Sequence, residues 1–321
     1  MQIFTNANYN FTRWRWHAIG LSLAVILAGL GVVLTKGMPM GIDFSGGTLV
    51  IVQLEQDGGE QLVRNAVQSL PGDEVVQQYD APEKRQVMIR LPQTKAAESG
   101  TSLEQGSLQV EQALKAAGIK FTVITRDIVG PVIGEDLQKR GIYATLASVL
   151  AITLYIAFRF RPSFAVGAIA ATLHDVFVTL AFLAFLGYDM SLNVVAAILT
   201  ITGYSVNDTI VIFDRVRENM RASRREPLET VVNASVNQTL SRTVITAGTT
   251  FLSVLALYLF GGEALEGFAF TMLVGVVSGT YSTIFIASSI AIILSQKKAA
   301  AAVVAAEAPV KAGRKAKGAR A

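Results

Sequence analysis

Six long apolar runs divide the chain and predict its main elements. A helix needs about 20 apolar residues to cross the roughly 30 Å hydrocarbon core of a membrane, because each residue rises about 1.5 Å. The basic stretch RWRWH precedes the first run, which is longer than the apolar part of a signal peptide, and no small-residue cleavage site follows. We therefore predict a retained membrane anchor and six transmembrane helices, over 17–35, 141–158, 163–187, 191–213, 243–261 and 267–295.

The polar stretch between the first two runs predicts a folded domain with elements in the order βαββαβ. Strand signals occur in GTLVIVQL, EVVQQY, RQVMIRL and KFTVITRDIVG, and helix signals in GEQLVRNAVQSL and SLEQGSLQVEQALKAAG. That order is typical of a ferredoxin-like fold, in which two helices cover one face of an antiparallel sheet. The predicted fold class is a polytopic α-helical membrane protein with an α+β ferredoxin-like domain between transmembrane helices 1 and 2.

Composition and charge support a membrane location and suggest an orientation. Of the 321 residues, 51% are hydrophobic and 16% are charged, whereas about a quarter of the residues in a soluble domain are charged. The short connections GYDMS and GGEALEG contain no Lys or Arg, while basic residues cluster at the opposite helix ends and in the tail. The positive-inside rule then predicts cytoplasmic termini and an extracytoplasmic domain. The chain has no cysteine, which excludes disulfides and thiolate metal sites.

These observations predict five regions and one additional helix. Apolar residues at helical spacing after Pro227 predict an amphipathic helix near 227–241 that lies along the cytoplasmic membrane face. For the basic tail, a solvated segment and a weak attraction to anionic lipid or RNA are both open, and no specific nucleic-acid site is predicted. The regions are a cytoplasmic N-terminus (1–16), a first transmembrane helix (17–35), an extracytoplasmic α+β domain (36–140), a five-helix transmembrane bundle (141–295) and a disordered cytoplasmic tail (296–321).

Three ionisable side chains within the apolar runs mark the candidate site. Asp175 lies in the third run, Asp208 in the fourth and Arg242 at the start of the fifth. A charge near the bilayer centre costs roughly 2.5–3.5 kcal/mol, so such residues usually face protein or water and mark a pathway. Asp208 and Arg242 lie at comparable depths from the helix ends, and we predict that they pair within the bundle.

That pair has two interpretations, a static ion pair and a proton carrier. Burial favours the neutral form of a carboxyl and a nearby arginine favours its charged form, so the charge of Asp208 would respond to small movements. Hydroxyl residues follow Arg242 on one helix face and favour a wet or helix-facing side, at Thr246, Thr249, Thr250 and Ser253. The candidate residues for proton transport are Asp208, Arg242, Asn207, Asp175 and Thr246.

Further small and polar residues in the membrane predict helix contacts. For His174 we favour a hydrogen bond between helices over a proton relay, which stays open, and for its neighbour Asp175 a structural and a titrating role are both open. The sixth run carries a small-residue face that predicts close helix packing without chemistry, formed by Gly275, Ser278, Gly279 and Ser282.

The stretch GIDFSGGTL (41–49) contains glycines but does not predict a phosphate site. It lacks the lysine of a P-loop and any following helix, so a turn that leads into the first strand is the better interpretation. We treat it as a structural motif, with Gly41, Asp43, Gly46 and Gly47 as its defining residues.

The layout and four motifs resemble the SecF family, the smaller subunits of SecDF protein translocases and half-units of the resistance-nodulation-division superfamily. The motifs are GIDFSGGT, LHDV, GYSVNDTIVIFDRVREN and QTLSRTVITAGTT, within a similarity that extends over residues 1–296. The resemblance implies a bacterial inner-membrane protein that pairs with SecD, works beside the SecYEG channel with YajC, and acts on preproteins. It also implies that Asp208 and Arg242 take part in proton transport that drives late steps of protein export.

Two other functions are compatible with the same residues. A proton-driven exporter of small molecules or lipids uses the same half-unit, although such exporters usually carry two half-units and larger external domains in one chain. A non-transporting scaffold or assembly factor would use the buried charges only for structure. An enzyme is not predicted, because no nucleophile, base and orienting group occur in motif spacing, and no cofactor or metal is predicted.

Overall fold

A computed structural model describes residues 4, 7–56, 59–68, 70, 74–79, 82–91, 105–223 and 225–297. Most of the predicted basic tail and the first residues of the predicted second domain helix lie outside these ranges. The main elements in chain order are α1 (Arg15–Lys36), α2 (Ile42–Ser45), β1 (Gly47–Leu54), α3 (Gly59–Val67), β2 (Val75–Tyr79), β3 (Gln86–Leu91), α4 (Gln105–Ala116), β4 (Phe121–Val129), α5 (Pro131–Arg159), α6 (Pro162–Leu186), α7 (Leu192–Ala222), α8 (Leu228–Phe260) and α9 (Glu263–Ser282).

Six of the described helices are long and apolar enough to cross a membrane, as the sequence predicts. They are α1, α5, α6, α7, α8 and the span that begins with α9 and ends at Lys297. In that last span, Thr283–Ala287 form a π-helical turn, and residues 288–297 continue as α-helix. We call the end of the bundle that carries the domain the domain side, and the other end the terminal side.

The domain has the predicted ferredoxin-like topology. Its sheet is antiparallel with strand order β2-β3-β1-β4. Helices α3 and α4 pack on the sheet because their apolar residues recur at helical spacing, and together these elements bury one core. Its buried residues are Val50, Val52, Leu54, Val63, Val67, Val76, Val87, Ile89, Leu91, Val110, Leu114 and Ile119.

Helix α5 begins ten positions before the predicted start of the second span, at Pro131 instead of residue 141. Proline suits the first turn of a helix, where its missing N–H has no partner to lose. The polar turns that follow are held by ion pairs one turn apart, Glu135 with Lys139 at 2.8 Å and Asp136 with Arg140 at 2.7 Å. Hydropathy alone misses this start because these turns are charged.

The predicted amphipathic helix near 227–241 is not a separate element lying along the membrane. Residues Leu228–Phe260 form one continuous helix, α8. No proline or glycine interrupts the chain between its first residue and Gly248, so nothing breaks the helix where the predicted boundary lies. Its first turns instead bind the N-terminal segment, through hydrogen bonds of 2.8 Å between Tyr9 N and Asn237 Oδ1 and 2.9 Å between Phe11 N and Asn233 Oδ1.

Small residues allow the bundle helices to approach closely. A Cβ atom on Gly29 of α1 would overlap Ala181 of α6, and a Cβ atom on Gly275 of α9 would overlap Ile201 of α7. A Cβ atom on Gly167 of α6 would lie 2.5 Å from the carbonyl oxygen of Ala287. The contact at Gly275, together with Gly279, whose Cβ atom would lie 3.0 Å from Ser205 Cβ, confirms that α9 uses a small-residue face for packing.

Candidate functional site

Asp208 lies half-buried on α7 and contacts α8. Its Oδ1 atom accepts a hydrogen bond of 2.8 Å from the Thr243 hydroxyl of α8. Its Oδ2 atom is buried and has no hydrogen-bond partner among the described residues. An unpaired buried carboxylate oxygen is costly in apolar surroundings. Arg242 acts on this charge through space, but among the described residues only Thr243 donates a hydrogen bond to the carboxylate.

The predicted ion pair between Asp208 and Arg242 is wrong for this structure. Arg242 is exposed on the outer face of α8 and forms no ion pair with Asp208 in the described part of the chain. The next residue, Thr243, occupies the position facing Asp208. Consecutive helix residues point about 100° apart, so α8 directs only one of these two side chains toward α7.

Polar side chains form an exposed stripe on α7 and α8. Arg242, Thr246, Thr249 and Ser253 are exposed on α8, and Asn207 is exposed on α7. The hydroxyls donate to carbonyl oxygens of their own helix, from Thr246 to Arg242 at 2.9 Å and from Ser253 to Thr249 at 3.0 Å. Because a cation in a membrane span needs protein or water beside it, this stripe is poorly suited to contact with lipid.

Asp175 is the centre of a buried polar cluster. It is 1% exposed and accepts hydrogen bonds of 2.5 Å from Ser205 of α7 and of 2.8 Å from both Ser278 and Ser282 of α9. His174 Nδ1 lies 3.0 Å from Asp175 Oδ1. Both carboxylate oxygens are therefore satisfied, and the cluster joins α6, α7 and α9. This geometry supports the structural role that the sequence left open.

The serine partners of Asp175 were not identified from the sequence. Ser278 and Ser282 were predicted to serve packing only, and that prediction was incomplete because both bind the carboxylate. The available signal was their spacing of four residues, which puts both hydroxyls on one helix face in an apolar run. Ser205 carried no comparable signal, since its direction depends on how α7 is rotated in the bundle.

His174 does not make the predicted hydrogen bond to another helix among the described residues. Its Nδ1 atom contacts the adjacent Asp175, and its buried Nε2 atom has no hydrogen-bond partner in the described part of the chain. The ring instead stacks on Tyr281, with centroids 6.0 Å apart and an interplanar angle of 27°. Tyr281 in turn donates a hydrogen bond of 2.7 Å to the carbonyl oxygen of Ala18 in α1.

The glycine motif forms the predicted turn into β1. Helix α2 ends at Ser45, Gly46 follows with φ of 67°, and Gly47 has φ of 132°. Side chains other than glycine rarely adopt these angles, so both glycines are needed for the sharp change of direction. The turn also packs against α5, because a Cβ atom on Gly134 would lie 2.9 Å from Gly46 N.

The same motif attaches the domain to the start of α7. Gly41 N donates a hydrogen bond of 2.8 Å to Met190 O, and Met190 N donates one of 2.8 Å to Pro39 O. The Asp43 carboxylate accepts a hydrogen bond of 2.9 Å from Leu192 N, the first residue of α7. A carboxylate at a helix N-terminus satisfies a free N–H group and interacts favourably with the helix dipole.

A second attachment joins the sheet to the turn before α7. Arg90 of β3 is buried, forms an ion pair with Asp189 and donates a hydrogen bond of 3.1 Å to Met40 O. The neighbouring Tyr188 donates a hydrogen bond of 2.7 Å to Glu266 of α9. Burial raises the pKa of the Tyr188 phenol, and its hydrogen bonds raise it further, so the group remains a donor. The turn is thus fixed to both domain and bundle.

Within the described residues, no group of three or more acidic or histidine side chains is arranged to hold a metal ion. The site defined by this geometry is a set of ionisable groups inside a helical bundle, tied by a glycine motif to a small α+β domain. The class of protein is therefore a multi-pass membrane protein with charged groups in its spans.

Comparisons with known proteins identify the family. The model described as protein export membrane protein SecD/SecF, C-terminal, matches residues 109–297, and the SecD/SecF GG motif matches residues 31–57. A SecF protein of Rhodothermus marinus is 41% identical over 307 residues, covering 94% of this chain and 97% of that protein. A SecF protein of Escherichia coli O157:H7 is 38% identical over 293 residues, covering 90% of this chain and 89% of that protein.

Solved structures agree with these matches. The crystal structure of SecDF from Thermus, described as a translocon-associated membrane protein, superposes with a TM-score of 0.81 and 35% identity. The match covers 92% of this chain but only 40% of the SecDF chain. A second structure, SecDF in a super-membrane-facing form, gives a TM-score of 0.69 and 37% identity. The chain belongs to the SecD/SecF family of protein export membrane proteins, and its similarity is to the SecF members.

Proposed function

We propose that this chain, together with a SecD partner, uses the proton motive force to promote late steps of protein export across a bacterial inner membrane. Its relatives are named protein translocase subunits, and the solved SecDF chains are much longer than this one. The name SecDF joins SecD and SecF, which supports a second half-unit as the partner. The proposal assigns no enzymatic reaction and no cofactor to the chain.

The observation that carries this proposal is the environment of Asp208. One carboxylate oxygen is bound by Thr243, while the other is buried without a partner among the described residues. Asp175, by contrast, has both oxygens bound by side chains of this chain. Asp208 therefore gains more from binding a proton or a partner's polar group, and we propose it as the proton carrier.

The exposed polar stripe supports a partner at the same place. Arg242 and Thr246 on α8, with Asn207 on α7, lie on the outer surface next to Asp208. We propose that a SecD half-bundle covers this stripe and completes a polar interface through which protons pass. Arg242 would then approach Asp208 only in some arrangements of the two halves, and protonation of Asp208 would change their relative stability.

The attachment of the domain to α7 offers a route from proton transfer to mechanical work. Asp208 lies on the helix whose first residue, Leu192, is bound by Asp43. The ion pair between Arg90 and Asp189 fixes the sheet to the turn just before that helix. A shift of α7 would therefore displace the domain. One charge moved through 100 mV provides about 2.3 kcal/mol, enough to change the balance between two conformers.

Location and further partners follow from the same proposal. We propose that both termini lie in the cytoplasm and that the domain lies outside it, since the two short connections on the domain side, GYDMS and GGEALEG, lack Lys and Arg. The domain would then meet preproteins as they emerge from the SecYEG channel. YajC is a further proposed partner, and the basic tail is a proposed contact for anionic lipid.

The test replaces Asp208 by Asn in the full chain reconstituted with SecD and SecYEG. Preprotein export and proton flux into vesicles are measured under an imposed proton gradient. We expect both rates to fall to the level of vesicles that lack this chain. Glu218→Gln, at an exposed carboxylate ten residues further along α7, is the matched control and should retain both activities.

The outcomes separate the proposal from its rivals. Unchanged export and unchanged flux in Asp208→Asn would refute the assigned proton carrier. If the wild-type chain and the variant export preprotein at the same rate and neither shows measurable proton flux, the result would instead support a scaffold. Flux that continues without preprotein but follows an added small solute would support an exporter.

A further inference from the structure

A basic pocket with an aromatic lining lies on the terminal side of the bundle. It is formed where α5 ends, α6 begins and α7 ends, and its cavity volume is about 660 Å³. We call it the arginine pocket. Its lining residues are Phe158, Arg159, Phe160, Arg161, Phe164, Phe213, Arg217, Met220 and Arg221.

The arginine pocket has an excess of positive charge. Arg159 is neutralised by Asp214, whose carboxylate oxygens accept hydrogen bonds of 2.7 and 2.9 Å from the same guanidinium nitrogen. Arg161, Arg217 and Arg221 form no ion pair among the described residues. Three guanidinium groups therefore surround one cavity without a neutralising carboxylate. This arrangement suits an anion with several oxygens, since planar guanidinium groups bind phosphate oxygens with defined geometry.

The aromatic side of the pocket is rigid and apolar. Phe213 packs edge to face with Phe160 and Phe164, at centroid distances of 5.8 and 5.1 Å. The Arg159 guanidinium lies 5.1 Å from the ring centroid of Phe160. The pocket thus presents charge on one side and hydrocarbon on the other. A free inorganic anion would use only the first of these two surfaces.

An apolar stripe leads from the pocket along the outside of α5. Phe158 at the pocket is 98% exposed, and Leu154, Leu150 and Leu146 are also exposed at intervals of four residues. Residues at this spacing lie on one helix face. The 12 positions from Leu146 to Phe158 rise roughly 18 Å, similar to the roughly 15 Å thickness of one leaflet of the hydrocarbon core.

We propose that the arginine pocket binds the phosphodiester headgroup of one anionic phospholipid, with an acyl chain lying along the apolar stripe of α5. Charge complementarity selects the headgroup, and the stripe that continues from the pocket distinguishes a lipid from a free phosphate. The lipid would bridge the ends of α5, α6 and α7. This site is separate from the predicted lipid contact of the basic tail and does not depend on proton transport.

The test measures lipid retention by native mass spectrometry of the full chain in detergent. The probes are phosphatidylglycerol and phosphatidylcholine in equal amounts, with inorganic phosphate added in a second arm. A hydrogen bond to a charged group contributes about a tenfold gain in affinity or more, so Arg217→Gln with Arg221→Gln, which removes two guanidinium groups that line the pocket, should weaken phosphatidylglycerol retention at least about 30-fold. Arg13→Gln with Arg225→Gln removes the same charge on the same side, outside the pocket, and should change retention less than twofold.

Equal retention in the two double variants would overturn the proposal, as would equal retention of the two lipids by the wild-type chain. Inorganic phosphate that displaces the lipid at millimolar concentration would reassign the pocket to free phosphate. If the glutamine variant does not fold, a photoactivatable phosphatidylglycerol tests the wild-type chain directly. It should label the peptide around Phe158, which is 98% exposed, at least fivefold more than the peptide around Leu252 of α8, which is 64% exposed. Their difference in exposure is too small to produce that ratio, and uniform labelling would refute the site.

Discussion

Replacing Asp175 by Asn tests whether its polar cluster holds three helices together. The substitution keeps the side-chain shape but removes one acceptor oxygen. Ser278 donates to one carboxylate oxygen, and Ser205 and Ser282 donate to the other, while His174 contacts the first. An amide nitrogen cannot accept a hydrogen bond, so at least one serine hydroxyl must lose its acceptor whichever way the Asn side chain is turned.

The expected loss of stability is about 3 kcal/mol. A hydrogen bond to a charged group contributes about 1.5–3 kcal/mol, and a bond between neutral groups about 0.5–1.5 kcal/mol. The substitution loses one serine hydrogen bond and weakens two others. It also removes the cost of desolvating the buried charge, and the difference between these contributions gives about 3 kcal/mol. Such a change lowers the unfolding temperature by roughly 6–12 °C in a unit of this size. Thermal unfolding of the full chain in detergent, followed by circular dichroism, measures it.

The matched control is Asp127→Asn on the exposed side of β4, which should unfold within about 0.5 kcal/mol of wild type. An Asp175→Asn chain that unfolds with the control would refute the structural role derived from the four contacts. A chain that remains as stable as wild type but loses proton flux would show that Asp175 is a proton carrier. The cluster would then belong to the transport pathway.

Three further predictions concern the domain attachment, the helix packing and the exposed cation. A double-mutant cycle of Arg90→Met and Asp189→Asn, measured by thermal unfolding, should give a coupling energy of about 1–2 kcal/mol, because the ion pair is only partly exposed to solvent. Additive effects of the two substitutions would contradict this ion pair. Gly29→Val should destabilise the chain by about 1–3 kcal/mol by separating α1 from α6. The control Gly31→Val, at a position that faces open space, should not destabilise it. Equal unfolding temperatures of the two variants would contradict the close approach of α1 and α6. Arg242→Lys should give export rates between those of wild type and Arg242→Gln, because lysine keeps the charge without the planar fork; full activity in both variants would exclude a specific role.

The sequence predicted the architecture because its signals are local. Six apolar runs specify spans through their length, and the alternation of strand and helix signals specifies the topology of the domain. The glycine motif was correctly interpreted as a turn, since it lacks the residues of a phosphate loop. Helix ends were less accurate where charged turns stabilised by ion pairs continue a helix, as at the start of α5.

Contacts between helices could not be predicted in the same way. Depth along a helix can be counted from the sequence, and it suggested that Asp208 faces Arg242. The rotation of each helix cannot be counted, and it brings Thr243 to that position instead. The same unknown rotation hid Ser205 as a partner of Asp175. The ion pair between Arg90 and Asp189 was missed because it joins two regions far apart in sequence that were treated as separate.

The π-helical turn in the last span changes what single-residue deletions are expected to do there. Ser278 and Ser282, before the turn, point toward α6, and so do the backbone atoms of Ala287 and Ala291 after it. Ser282 and Ala287 are five positions apart, whereas about four positions bring an α-helix back to the same face. The π-helical turn is therefore equivalent to an α-helix with one inserted residue. Deleting Ile284 would restore regular pitch and keep both halves in phase with their neighbour. Deleting one residue between Ser278 and Ser282 would instead rotate the two serines away from a common face. We therefore expect the span to tolerate a one-residue deletion within the π-helical turn but not in the turn before it.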